Sequence, residues 1–110
     1  MLQAEPGAVV CRTAPSFLRF GSLELPSSRG DIELFTALVE YTIKNWYPDV
    51  NAVESTSQRH EAFVTAVASR TASLVAQWQS FGFTHGVMNT DNMSLLGLTM
   101  DYGPYGFMEM

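Results

Sequence analysis

Basic side chains are scarce in this chain of 110 residues: six Lys and Arg stand against eleven Asp and Glu, so the formal net charge is −5. Nucleic acids and anionic membrane surfaces are held mainly by clusters of Lys and Arg. We therefore expect neither a nucleic acid nor a membrane as a partner.

Cysteine is almost absent, and long apolar runs are missing. The single cysteine, Cys11, cannot form an internal disulfide, so nothing indicates an oxidising compartment. No apolar run approaches the roughly 20 residues of a membrane span. Residues 1–7 lack the basic start and apolar centre of a signal peptide. The compartment stays open between an organelle such as the mitochondrion for a eukaryotic source and the cytoplasm for a bacterial one.

The first half of the chain contains signals for a short strand and a long helix. Residues 8–13 include β-branched side chains and follow a Pro-Gly pair, which is typical of a short buried strand. The aromatic-rich residues 16–20 are expected to form a short helix or turn, and residues 26–31 a loop. Over residues 31–47 the apolar positions recur at helical spacing, and Asp31 is a good N-cap residue.

The second half predicts another helix and a hairpin. Residues 49–59 are polar and predict an exposed connection. Apolar positions line one face of a helix over residues 58–81, and Gly82 is placed to end it. Residues 94–100 predict two short strands that turn near Gly97, whereas the Gly- and Pro-rich segment that follows Asp-Tyr-Gly cannot continue a regular element. The expected fold class is α+β and mainly helical.

A polar loop, Asn89-Thr90-Asp91-Asn92, follows a His-Gly pair, and Asp101-Tyr102-Gly103 comes after a short apolar run. Carboxylate and carboxamide oxygens suit Mg²⁺. The order His-Gly, acid, Asn, hairpin, Asp-aromatic-Gly is also that of a kinase-type site. Composition alone favours an ordinary turn, because Asn and Asp are frequent turn residues. The later Asp-Tyr-Gly and the long helix before the loop favour a site.

Three other side chains have more than one interpretation. His85 is expected to bond the backbone near the loop rather than to act as a base. Arg12 and Arg19 lie among apolar residues, where a guanidinium must find an anion. From spacing alone, a structural salt bridge is at least as well supported as contact with a phosphate.

Three segments of the sequence resemble the selenoprotein O family. They are residues 7–22, which read GAVVCRTAPSFLRFGS, residues 70–79, which read RTASLVAQWQ, and residues 85–107, from His-Gly to Asp-Tyr-Gly-Pro-Tyr-Gly-Phe. Members of that family are similar to protein kinases in fold. They transfer AMP, rather than a phosphoryl group, to protein hydroxyls, and they bind ATP in an orientation flipped relative to kinases.

The resemblance implies a fold, a set of ligands and a set of site residues. The chain would be part of a protein-kinase-like large lobe, with a short strand and Arg-containing segment at 7–21, two long helices, and a catalytic loop and hairpin at 85–107. It implies Asp91 as the proton acceptor and Asn92 and Asp101 as ligands of Mg²⁺, with Mn²⁺ as an alternative. Arg12, Arg19 and Asp101 would contact the nucleotide. The implied partners are ATP and proteins with Ser, Thr or Tyr hydroxyls.

One departure from kinases bears on the reaction. Kinase loops place an acid two residues after His, and here that position is Val87. The acid within reach is Asp91. An acid in a different position from that of kinases can assist attack on a different phosphorus atom of ATP. This favours attack on the α-phosphate over transfer of the γ-phosphate.

The Gly-rich loop and strand Lys that the family places upstream are not found in these 110 residues, nor is the C-terminal region where some members carry selenocysteine. We therefore expect a fragment of one kinase-like catalytic domain, inactive alone and modestly stable. An ordinary phosphotransferase and a catalytically silent pseudokinase interaction module are the alternatives. Val87 speaks against the first, and the intact Asp91, Asn92 and Asp101 against the second.

Overall fold

The computed structural model describes residues 3–109. Its elements in chain order are α1 (Phe20–Ser28), α2 (Ile32–Trp46), α3 (Pro48–Asn51), α4 (Thr56–Ser80), β1 (Phe83–Thr84) and β2 (Gly106–Phe107). The two strands pair antiparallel, with Phe83 opposite Phe107 and Thr84 opposite Gly106. About half of the described residues are helical, so the predicted α+β, mainly helical class is confirmed.

Both long helices occupy the positions that their apolar spacing predicts. Helix α2 follows Asp31, whose carboxylate accepts a hydrogen bond from the Leu34 amide at 3.0 Å. Helix α4 begins at Thr56, close to the predicted start, and ends at Ser80. Gly82 follows it with a φ of 69°, a left-handed conformation that glycine adopts without steric cost. Among the described helices, none combines the length and apolarity needed to cross a lipid bilayer.

The core forms where three helices meet the segment between Asn92 and Asp101. Its buried side chains are Val39, Ile43, Tyr47, Val50, Phe63, Val67 and Leu95. The Tyr47 ring packs edge-on against Phe63 with 5.3 Å between ring centroids, and its hydroxyl donates a hydrogen bond to the Leu95 carbonyl. Burial raises the pKa of Tyr47, which favours the protonated, donating hydroxyl. Residues 93–100, here called the hairpin loop, are therefore fixed in position by the core.

The predicted turn near Gly97 is present and packs against α4. Gly97 has a φ of 75°, and a Cβ atom there would lie 2.7 Å from Cβ of Arg70. The Arg70 guanidinium lies 3.8 Å from the centre of the Tyr47 ring, a cation–π contact. One β-bridge, between Met93 and Thr99, replaces the two short strands that were predicted. Glycine is required at the tip because both the backbone angle and the close approach of α4 exclude a side chain.

The strand predicted over residues 8–13 is wrong. That segment has no regular secondary structure, and Val9 and Val10 are 101% and 87% exposed. β-Branched residues favour strands only where a pleated surface packs against neighbours. No described strand pairs with this segment, so its β-branched residues have no sheet in which to pack.

Three further segments are more regular than their composition indicates. Helix α1 begins at Phe20, the last residue of the predicted short helix or turn at 16–20, and runs through Pro26 into the first half of the predicted loop at 26–31. Its residues Phe20 and Leu23 pack against the core, so tertiary packing overrides weak local propensity. Helix α3 forms one turn inside the predicted connection and buries Val50. Strand β2 begins at Gly106, where no regular element was expected.

A charged cluster joins α2 to α4. The Glu40 carboxylate accepts a hydrogen bond from Arg59 at 2.8 Å and lies 2.8 Å from Nε2 of His60. The hydrogen bond from Arg59 is the largest influence and lowers the pKa of Glu40, assisted by His60 and opposed by partial desolvation. The cluster therefore stabilises the ionised carboxylate in the folded state.

We expect Glu40→Gln to lower the free energy of unfolding by up to about 1 kcal/mol near neutral pH, the range of partly exposed ion pairs. Because the folded-state pKa lies below the ordinary value of 4.5, this stabilisation is present above that value and is lost as the pH falls through the lowered pKa. Urea denaturation near pH 7 and at about pH 3 measures it. Glu61→Gln on α4 is the control, and an equal effect of Glu40→Gln at both pH values would contradict the assignment.

Candidate functional site

The polar loop at residues 89–92 is a turn held by its first side chain. Oδ1 of Asn89 accepts hydrogen bonds from the amides of Asp91 at 3.1 Å and Asn92 at 3.0 Å. Asn side chains commonly fold a backbone in this way. The segment is therefore a turn, as its composition indicates, and it leaves Asp91 exposed.

The side chain of Asn92 has a fixed orientation within this turn. Its Nδ2 donates a hydrogen bond to the Val87 carbonyl at 2.8 Å. This hydrogen bond uses the donor end of the side chain and leaves the amide oxygen, Oδ1, free to bind a ligand. Such an oxygen can bind a hard cation.

Backbone pairing brings Asn92 beside the residue that precedes Asp101. The Met100 amide donates to the Asn92 carbonyl at 2.6 Å, and Met93 forms a β-bridge with Thr99. The Thr99 hydroxyl lies 3.1 Å from the Asn92 carbonyl oxygen and 2.8 Å from the Asp101 carbonyl oxygen. The hairpin loop thus closes on itself, and the two predicted metal ligands lie at its ends.

His85 holds the backbone of Asp101 from the interior. It is 3% exposed, and its Nε2 lies 2.7 Å from the Asp101 carbonyl oxygen and 2.9 Å from the Thr99 hydroxyl oxygen. The Val87 amide donates to Nδ1 at 3.2 Å, so the ring proton belongs on Nε2. Trp78 stacks on the ring with 5.3 Å between centroids. The predicted backbone-bonding role of His85 is confirmed.

Asn92 and Asp101 are the two side chains that the sequence predicts as metal ligands. Oδ1 of Asp101 accepts a hydrogen bond from the Tyr102 amide at 2.8 Å, and Oδ2 remains available. Within residues 3–109 no group of three or more His, Cys, Asp or Glu could hold a metal ion. One carboxylate and one carboxamide still fit Mg²⁺, since this ion usually takes one or two protein groups and completes its shell with water and substrate phosphates.

Helix α1 begins against the polar loop. The amides of Phe20 and Gly21 donate to the carbonyls of Met93 at 3.1 Å and Thr90 at 2.8 Å. A helix start leaves its first amides without intrahelical partners, and here the loop supplies them. The segment that contains Arg19 therefore borders the loop.

Neither predicted nucleotide-binding arginine pairs with a carboxylate in the part of the chain that the structure describes; the ion pairs there are those of Glu40. Arg12 donates to the carbonyls of Thr13 and, at 3.0 Å, Thr99. Nε of Arg19 is buried and has no hydrogen-bond partner. The salt-bridge alternative is thus not formed among these residues. A buried cationic donor without an acceptor is an arrangement that a bound anion would stabilise.

Sequence reasoning missed three residues that shape the site. Tyr47 was assigned to no role, yet its hydroxyl anchors the hairpin loop at Leu95. The Thr99 hydroxyl is buried between the two ends of that loop. Gly21 was given no role, and it lies inside α1. The one available signal in the sequence was a Thr within an apolar run, at Thr99.

We expect His85→Ala to lower the free energy of unfolding by about 2–4 kcal/mol, because it removes a buried ring and its hydrogen bonds. His60→Ala is the matched control: His60 is the other histidine, its side chain is 34% exposed, and its loss is expected to cost less than about 1 kcal/mol. Chemical denaturation followed by circular dichroism compares the two. Equal losses would show that His85 does not hold the Asp101 segment.

Comparison with known proteins gives a match along nearly the whole chain. A family model described as "Protein adenylyltransferase SelO" matches residues 2–110. Curated relatives named "Protein nucleotidyltransferase YdiU" are similar over most of the chain. The protein from Xylella fastidiosa (strain Temecula1 / ATCC 700964) is 56% identical over 105 residues, which are 96% of this chain and 20% of the relative.

Two further relatives with the same name match this chain with similar identity and coverage. The protein from Aromatoleum aromaticum is 57% identical and that from Azoarcus sp. (strain BH72) is 52% identical, each over 107 residues, which are 97% of this chain and 20% of the relative. The chain therefore spans about a fifth of the length of the curated relatives it matches.

Proposed function

This chain belongs to the protein adenylyltransferase SelO family, and from that premise we propose that it contributes catalytic residues to an enzyme that transfers AMP from ATP to Ser, Thr or Tyr hydroxyls of proteins. The relatives are named protein nucleotidyltransferases. The observation that carries the proposal is the closure of the hairpin loop. A 2.6 Å hydrogen bond joins Asn92 to Met100, the neighbour of Asp101, and Asp91 lies on the adjoining turn.

We also infer that the described elements form part of the large lobe of a kinase-like fold. The inference is supported by the order of long helix α4, polar loop, hairpin loop and Asp-Tyr-Gly. It is also supported by the pairing of β1 with β2, which joins the segment before the polar loop to the segment after Asp-Tyr-Gly.

In the proposed reaction Asp91 orients a protein hydroxyl and accepts its proton. The hydroxyl oxygen forms a bond to the α-phosphorus of ATP, the bond from that phosphorus to the β-bridging oxygen breaks, and pyrophosphate leaves. Asn92 and Asp101 would hold Mg²⁺, or Mn²⁺ as an alternative; when bound, the ion neutralises charge on the phosphates. Arg12 and Arg19 would bind phosphate oxygens as cationic donors.

Two other functions remain as alternatives with different expectations. A phosphotransferase would need an acid where kinases carry one, and that position is Val87. A silent interaction module would not need the oxygen ligands Asn92 and Asp101 or the exposed carboxylate of Asp91. The side chains present favour AMP transfer over both.

The reaction is tested in a chimera in which this chain replaces the matching 105 residues of the Xylella fastidiosa relative. We expect protein targets to acquire label from α-labelled ATP and none from γ-labelled ATP. Label from the γ-phosphate would support the phosphotransferase, and no label from either, with an active unmodified relative, would support the silent module. Asp91→Asn should lower kcat by about 10²–10⁴-fold, whereas Asp49→Asn on α3 serves as the control and should not.

The role of Arg19 is tested separately from the chemistry. Arg19→Gln should raise KM for ATP by about 10-fold or more, because one charge-assisted hydrogen bond contributes about 1.5–3 kcal/mol. Arg29→Gln, at the exposed C-terminal end of the same helix, is the control and should leave KM unchanged. A loss of folding in Arg19→Gln, with no change of KM in the folded fraction, would instead indicate a structural role.

A further inference from the structure

We propose that Gly21 is a positioning residue for Asp91: the missing side chain at this point of α1 leaves the space in which the Asp91 carboxylate lies. This inference rests on the proposed function for its catalytic meaning. The effect of Gly21 on the position of the Asp91 carboxylate is inferred from contacts within the chain and does not depend on the proposed reaction.

The contact is close and specific. A Cβ atom at Gly21 would lie 2.9 Å from Oδ1 of Asp91 and 3.2 Å from the carbonyl oxygen of Thr90. A separation of 2.9 Å is too short for a carbon atom beside an oxygen, so one of the two must move. Oδ1 is the free end of a flexible side chain. The Thr90 carbonyl belongs to the backbone and accepts a hydrogen bond from the Gly21 amide at 2.8 Å. The carboxylate is therefore the group that would be displaced.

The backbone of Gly21 does not itself require glycine. The glycines with a positive φ are Gly30, Gly82, Gly86 and Gly97, and Gly21 is not among them. Glycine inside a helix costs about 0.5–1 kcal/mol relative to alanine. Helix propensity thus favours alanine at this position, and the space beside Asp91 is the feature that favours glycine.

Helix α1 cannot easily move away from the loop to make room. The Phe20 amide donates to the Met93 carbonyl at 3.1 Å, and the Leu95 amide donates to the Leu18 carbonyl at 3.1 Å. Phe20 and Leu23 also pack against the core. A shift of α1 would weaken these contacts together, so a methyl group at Gly21 is accommodated by rotation of the Asp91 side chain.

The test compares Gly21→Ala with Gly106→Ala in the chimera, since a Cβ atom at Gly106 would meet nothing within 4 Å. We expect Gly21→Ala to lower kcat by about 100-fold, as for a misplaced reacting group, while KM for ATP stays unchanged and the protein stays folded. In an Asp91→Asn background it should have no further effect. Unchanged kcat, an equal loss in the Asp91→Asn background, or unfolding of Gly21→Ala would each overturn the proposal.

A second measurement separates this inference from the proposed function. The ¹³C resonance of the Asp91 carboxyl carbon, assigned by its absence in Asp91→Asn, should shift in Gly21→Ala and stay in place in Gly106→Ala. If the chimera transfers no AMP but the resonance shifts, the proposed function fails and the positioning by Gly21 stands. An unshifted resonance overturns the positioning whatever the activity.

Discussion

The hydrogen bond from the Tyr47 hydroxyl to the Leu95 carbonyl is the contact on which the arrangement of the site depends. It joins the core between α2 and α4 to the middle of the hairpin loop. Leu95 and Tyr47 are both nearly inaccessible, at 2% exposed each, so solvent cannot readily replace either partner, and an unsatisfied carbonyl in this place would be costly. The ends of the loop carry Asn92 and Asp101. The position of the loop between them is therefore fixed by packing in the core as well as by the hydrogen bonds at its ends.

A second, smaller network controls the same loop from the other side. The imidazole of His85 lies between Trp78 and the Asp101 backbone, and the Thr99 hydroxyl lies within reach of both loop ends. Each of these polar groups is buried and has a partner, which makes the network rigid. The carboxylate of Asp91 and the amide oxygen of Asn92 lie outside it and stay available to a ligand. The structure thus separates residues that hold the backbone from residues that would contact a substrate.

Helix α1 has features that reduce local stability and are consistent with a binding role. The Arg19 Nε atom is buried without an acceptor, and Gly21 lies in a helix that alanine would favour. A chain selected for stability alone would pair the guanidinium and fill the space. Both features lie where α1 contacts the polar loop, which is the part of the molecule that the proposed reaction uses.

Elements that depend on short-range rules could be predicted from the order of the residues. The periodicity of α2 and α4, the cap at Asp31, the left-handed Gly82 and the turn at Gly97 all follow from spacing and backbone preference between near neighbours. Residue type and order also indicated the polar loop and Asp101, whereas the roles proposed for Arg12 and Arg19 came from the family resemblance. Their chemical roles stay predictions.

Features that depend on distant partners could not be predicted in this way, because they arise from contacts in the folded chain. Residues 8–13 lack a strand because no neighbour pairs with them in the described chain, and α1 passes through Pro26 because Phe20 and Leu23 reach the core. The contact of Gly21 with Asp91 joins residues far apart in sequence. Local patterns reflect the conformational preferences of near neighbours in the chain. Packing depends on which residues far apart in sequence come into contact, and local spacing does not predict those contacts.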